Sequence, residues 1–111
     1  MNLDRLIGAV VGTTARRTLK LKLSVMPVIA KFYGIVIRML CARALGARIH
    51  AFYGDSELVV SLWPLRIIQG DAPQRVSELV LEWARQHQQE LLTDWRRLEA
   101  GLPAMQVAPL Q

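Results

Sequence analysis

Val76, Leu79, Val80, Trp83, Ala84, His87, Leu91, Trp95 and Leu98 fall at offsets 0, 3, 4, 7, 8, 11, 15, 19 and 22. That is the single-face repeat of a helix with about 3.6 residues per turn. A stripe this long and this apolar requires a second layer to cover. Its boundaries are marked too. In Gly70-Asp71-Ala72-Pro73, Asp71 is placed to accept a bond from an orphan N–H, and Pro73 costs nothing in a first turn. Gly101 suits the residue just past the helix, and Pro103 blocks its continuation. The spacing predicts one helix from Pro73 to Ala100, roughly 40 Å long at about 1.5 Å per residue.

The layer it covers is written upstream in a different period. Val28 to Phe32 and Ile35 to Leu40 are rich in β-branched and aromatic residues, with Gly34 between them. Arg48 to Tyr53 alternates, Gly54-Asp55 offers a two-residue turn, and Glu57 to Leu62 reads as the returning strand. Pro64 cannot donate to a ladder, so Leu65 to Ile68 starts afresh as a short strand. The predicted fold class is α+β: a small antiparallel β-meander of four to five strands packed by one long C-terminal α-helix. Such a sheet spans about half of that helix. The end carrying Trp95 and Leu98 therefore needs another cover, from the C-terminal tail, the N-terminal segment or a partner. Each large apolar side chain left wet forfeits about 1.5–3 kcal/mol. Trp95 and Leu98 are accordingly the candidate partner interface.

The chain of 111 residues suits one domain. Its net charge of +5 is unevenly placed. Residues 1–25 hold five basic side chains against Asp4 alone, a balance of +4, whereas residues 26–111 hold nine basic and eight acidic, a balance of +1. Residues 1–25 therefore read as an N-terminal extension, either appended or produced by an upstream start, and residues 26–111 as the single domain. Within the extension, Leu3 to Val11 suggests two helical turns weakened by Gly8 and Gly12, and Thr18 to Leu23 alternates like a strand. Gly8-x-x-x-Gly12 lacks an apolar host of about 20 residues, and the segment Gly8 to Thr14 lacks the lysine of a phosphate loop. No secretory leader or membrane span is read. Cys41, the lone cysteine, excludes an intrachain disulfide and fits a reducing cytoplasm.

His50 and His87 are the only histidines. With Glu90 they are the candidate catalytic residues, and with Glu82 or Glu90 they make at most a partial metal set, so no metal and no cofactor is predicted. The plainer reading places His87 on the apolar side of the helix and His50 on a strand, each bonded to a local partner. Trp63, Trp83 and Trp95 suggest a base-stacking platform, but Trp83 and Trp95 share the stripe and read as packing residues. Arg75, Arg85, Arg96 and Arg97 against Glu78, Glu82, Glu90, Asp94 and Glu99 read as a solvated helix face with local pairs such as Glu82 with Arg85. Arg38, Arg43 and Arg48, with the basic extension, are the candidate contacts for nucleic acid.

Several of these residues also carry a resemblance. Met26-Pro27-Val28-Ile29-Ala30, Phe32-Tyr33-Gly34-Ile35, Ile37-Arg38-Met39, His50-Ala51 and Tyr53-Gly54 are followed by Leu81-Glu82-Trp83-Ala84, His87, Glu90-Leu91, Trp95, Gly101-x-Pro103 and Pro109-Leu110. From Met26 to Leu110 the chain resembles the small bacterial family known as domain of unknown function 4160, whose members typically begin at the Met-Pro found here as Met26-Pro27. Between Ile37-Arg38-Met39 and His50 the family usually carries an Asp-His, a Pro pair and His-x-His. Here Arg43, Ala44 and Arg48 stand at the positions of the Asp and two of the histidines, and His50 alone is kept. A metal site or general base built on that cluster is in doubt for this chain. The resemblance also implies genetic pairing with domain of unknown function 2442, in modules similar to toxin–antitoxin pairs.

Three functions follow as expectations. The first is a protein-binding component of a toxin–antitoxin-like gene pair, with a partner encoded nearby or self-association. The second is an RNA- or DNA-binding module using the basic loop, and the third a small histidine-dependent hydrolase or nuclease. No role at a membrane is expected.

Overall fold

A computed structural model describes residues 26–40 and 45–111. The expected meander is there, with five strands: β1 (Val28–Phe32), β2 (Ile35–Arg38), β3 (Arg48–Tyr53), β4 (Ser56–Leu62) and β5 (Leu65–Asp71). They are antiparallel neighbours in chain order. Tight turns make this order possible. Tyr33 and Gly34 join β1 to β2 with φ of 50° and 78°; two positive values in a row are the torsions of a primed hairpin turn, which matches the strands' own twist. β4 and β5 are joined through Trp63 and Pro64, whose peptide bond is cis. Register slips between Val28 and Ala30 of β1 and between Val59 and Val60 of β4.

Alternation along each strand sorts the side chains onto two faces. Ile37, Ala51 and Leu58 stand in one cross-strand row, and Ile49, Val60 and Ile67 in another. With Phe32, Ile35, Met39 and Leu62 they build the core under the helices. The opposite face carries the row Arg38, His50, Val59 and Gln69, and beside it Val36, Phe52, Glu57 and Asp71.

The long helix is corrected to two. α1 spans Gln74–Gln86 and α2 spans Gln88–Glu99, separated by His87. His87 has φ −114° and ψ 20°, outside the helical well. Bonds still cross the break, from His87 N–H to Trp83 O and from Leu91 N–H to His87 O. Neither proline nor glycine explains the break; side chains do. The Gln88 amide donates to Leu62 O at the end of β4 (2.6 Å), and His87 Nδ1 meets Glu90 Oε1 at 2.9 Å. A straight rod would overrun the small sheet, whereas the bend keeps Leu91 fully buried.

The start of α1 is corrected as well. Asp71 ends β5, opposite Glu57, and no side chain caps the helix, which begins after Pro73. Gly70 beside it has φ 93°, and a Cβ there would stand 2.0 Å from Glu57 O, so only glycine fits the close approach. The C-terminal signal behaves as expected. Gly101 has φ 77°, its N–H reaches Leu98 O, and Leu102 N–H reaches Arg97 O, the paired bonds of a Schellman motif.

The cover for the far end of the stripe includes the tail after Gly101. Val107 N–H donates to Ile29 O (2.9 Å), and Gln106 Nε2 donates to Val28 O (2.8 Å). Trp83 Nε1–H donates to Ala108 O (2.7 Å). Val107 and Leu110 are buried, and the tail occupies part of the outer edge of β1.

Candidate functional site

Two places gather the chemically capable side chains. One is the sheet face turned away from the helices. His50 Nδ1 lies 3.0 Å from Glu57 Oε2, a diagonal cross-strand neighbour, since Glu57 stands opposite Phe52. The Phe52 ring lies nearly parallel to the imidazole, 6.4 Å away at 16°. Arg38 stands directly across from His50 on β2, and Arg48 lies two residues before it on β3. Positions 48 and 50 thus share this face, which is where a His-x-His pair would project. The arginines are committed locally: Arg38 Nη1 donates to Met26 O (2.7 Å), and Arg48 Nη2 donates to Leu45 O. Arg38 thereby ties β2 to Met26 ahead of β1, and Arg48 ties β3 to Leu45. Arg43 and Cys41 lie outside the described residues.

A histidine held by a carboxylate is the oriented half of a general base. His87 shows the same pairing with Glu90, but on the helical layer. Its ring sits against Trp83, with centroids 5.5 Å apart. The two histidines thus serve separate carboxylates on separate layers. Among the described residues, no three His, Cys, Asp or Glu side chains come together to hold a metal.

The second place is the outer side of α2. Trp63, at the β4–β5 turn, is 74% exposed. It overhangs a groove lined by Gln89, Leu92 and Arg96. A second groove, between α2 and the tail, is lined by Gln89, Glu90, Thr93, Asp94, Met105 and Val107, so Gln89 borders both. Met105, on the far rim, is 60% exposed. Two large, wet apolar side chains therefore flank one helix face.

Asp94 is the residue that reading the charges by type missed. It is 2% exposed rather than solvated. Met105 N–H donates to Oδ1 at 2.8 Å, while Oδ2 is buried with no partner. Burial raises its pKa above the ordinary value of 3.8, Glu90 adds to the rise, and the Met105 N–H and Arg97 oppose it. The signal was available: Asp94 lies three residues after Leu91 and four before Leu98, squarely on the stripe. Trp95 and Leu98 are half-buried against the core, with Trp95 Nε1 buried and unpartnered. The local pair formed on α1 is Arg75 with Glu78 (3.5 Å), not Glu82 with Arg85.

No helix among the described residues is long and apolar enough to cross a membrane. Comparison with curated proteins and with solved structures finds no match to either. A family model does match, the one described as Domain of unknown function (DUF4160), over residues 34–96. That span runs from the β1–β2 turn through most of α2, taking in both the His50–Glu57 pair and the helix break. Covering more than half of the sequence, it identifies the chain as a member of the DUF4160 family.

Proposed function

We propose that this chain is the protein-binding component of a two-gene, toxin–antitoxin-like pair, and that the partner docks on the outer side of α2. One observation carries the reading: Trp63, 74% exposed over a groove containing Leu92. An indole in water at a tight turn contributes little to folding. Buried by a partner, it supplies large contact area at small entropic cost, which is why tryptophan dominates interface energetics. Trp95 and Leu98, on the same helix, are half-buried and pack against the core, which anchors that surface.

Co-expression with the product of the neighbouring gene, followed by co-purification and mass-resolved size measurement, tests this. A stable complex lost in Trp63→Ala supports the reading. A chain that stays monomeric beside that product, with no effect on growth when expressed alone, removes it.

A further inference from the structure

The groove between α2 and the C-terminal tail contains a feature that folding alone does not explain. Asp94 Oδ1 is satisfied by the Met105 amide, but Oδ2 has no hydrogen-bond partner and is shut away from bulk water. Leaving such an acceptor unmade forfeits its hydration without replacement, and the penalty is larger for a charged group. Arg97, whose charge acts on Asp94, does not bond Oδ2; its Nε donates to Pro103 O at 2.9 Å. The groove is walled by Met105, Val107 and Thr93 and encloses about 320 Å³. Glu90 adds a second carboxylate to its lining, with one oxygen held by His87. Apolar walls with two carboxylates in the lining, one of them holding a buried oxygen without a partner, complement a ligand with an aliphatic stem and a cationic head.

We propose that this groove is the receptor for one lysine or arginine side chain of the partner protein, its charged head entering beside Glu90 and bonding Asp94 Oδ2 as local rearrangement uncovers that oxygen. The inference rests on the protein-binding reading above and adds the chemistry of the partner's anchor. Gln89, which borders both grooves, joins this pocket to the Trp63 groove, so one partner segment spans an apolar anchor and a basic one. Lysine and arginine share the required stem and charge.

The test uses the full chain and simple probes. n-Butylguanidinium and n-butylammonium are titrated into isotopically labelled protein, with 1-pentanol as the uncharged control, while the Met105 and Thr93 amide resonances are followed. The expected result is a saturable shift with either cation, at least about tenfold weaker in Asp94→Asn. Asparagine retains an oxygen for the Met105 amide, so the variant keeps the tail in place. No saturable shift, an equal shift with pentanol, or an unchanged titration in Asp94→Asn would each overturn the proposal. The comparison of cation with alcohol decides in the natural sequence even if the variant folds poorly. A complex that still co-purifies while the cations fail to bind sinks the anchor alone. Cation binding without any complex sinks the protein-binding reading alone.

Discussion

α1 and α2 continue one hydrophobic stripe, yet they bury it differently. α1 buries Val76, Val80, Trp83 and Ala84, and the Trp83 indole N–H finds Ala108 O. α2 buries Leu91 together with Asp94, and leaves Asp94 Oδ2 and Trp95 Nε1 without partners. No side-chain polar atom of α1 is buried without a partner; on the sheet, Arg48 Nε of β3 is. Past the bend, cover comes in part from the tail, and two polar atoms remain unmatched. Each unmatched buried group calls for an explanation; on the proposed reading, α1 is scaffold and α2 the working element.

The scaffold half is the easiest to break. Trp83 is fully buried, with its ring 5.2 Å from Phe32. Trp83→Ala is expected to destabilise by about 3–5 kcal/mol, the usual cost of emptying an aromatic core site. Chemical denaturation measures it, and a loss below about 1 kcal/mol would show that α1 does not carry the fold. Removing residues 104–111 has an effect of comparable size. It exposes the surfaces under Val107 and Leu110, each contributing about 1.5–3 kcal/mol, and frees the Val28 and Ile29 carbonyls on the β1 edge. The truncated chain should unfold at lower denaturant and expose that edge to self-association, read by light scattering.

These two halves also differ in how plainly the sequence announces them. The strands and the α1 stripe depend on period alone, and the strand expected over Arg48 to Tyr53 is found with the same bounds. Strand β5 runs on to Asp71, beyond the expected Ile68, because pairing with Glu57 recruits a residue that local chemistry offers as a helix cap. The break at His87 is illegible locally, since His, Gln and Gln all tolerate helix. It is dictated by the distance to Leu62 O, a contact 26 residues away. Asp94 was legible by position and hidden by type: a carboxylate suggests solvent, while its offset from Leu91 and Leu98 says otherwise. The His50–Glu57 pair follows from register, which the Gly54-Asp55 turn sets, so it needed the hairpin and not the residue types.

Asp94 sharpens the comparison through pH. Its unfolded carboxyl titrates near 3.8 and its folded one higher, so between the two values the folded chain holds a proton that the unfolded chain releases. Stability present below that window is lost as pH rises through the folded pKa. Asp94→Asn cannot titrate. Its stability relative to the natural chain should therefore improve from about pH 3 to pH 7, a drift that thermal melts across that range resolve. A flat difference would mean that Oδ2 is better solvated than its burial indicates. Asp94→Ala, which also loses the acceptor for Met105 N–H, should show the same drift and lie about 1 kcal/mol below Asp94→Asn at any pH.

The smallest folding effect belongs to Trp63, and it separates the two roles most cleanly. With three quarters of its surface in water, Trp63→Ala should move folding stability by no more than about 0.5 kcal/mol. At an interface hot spot the same truncation costs about 2 kcal/mol or more, roughly thirtyfold in affinity. Trp83→Ala must do the reverse, weakening any complex only through the fold. A Trp63 variant that loses stability as Trp83→Ala does would mean that the β4–β5 turn belongs to the scaffold. A variant that folds normally and binds normally would move the working surface off the outer side of α2, since the large side chain overhanging the Leu92 groove would then be energetically idle.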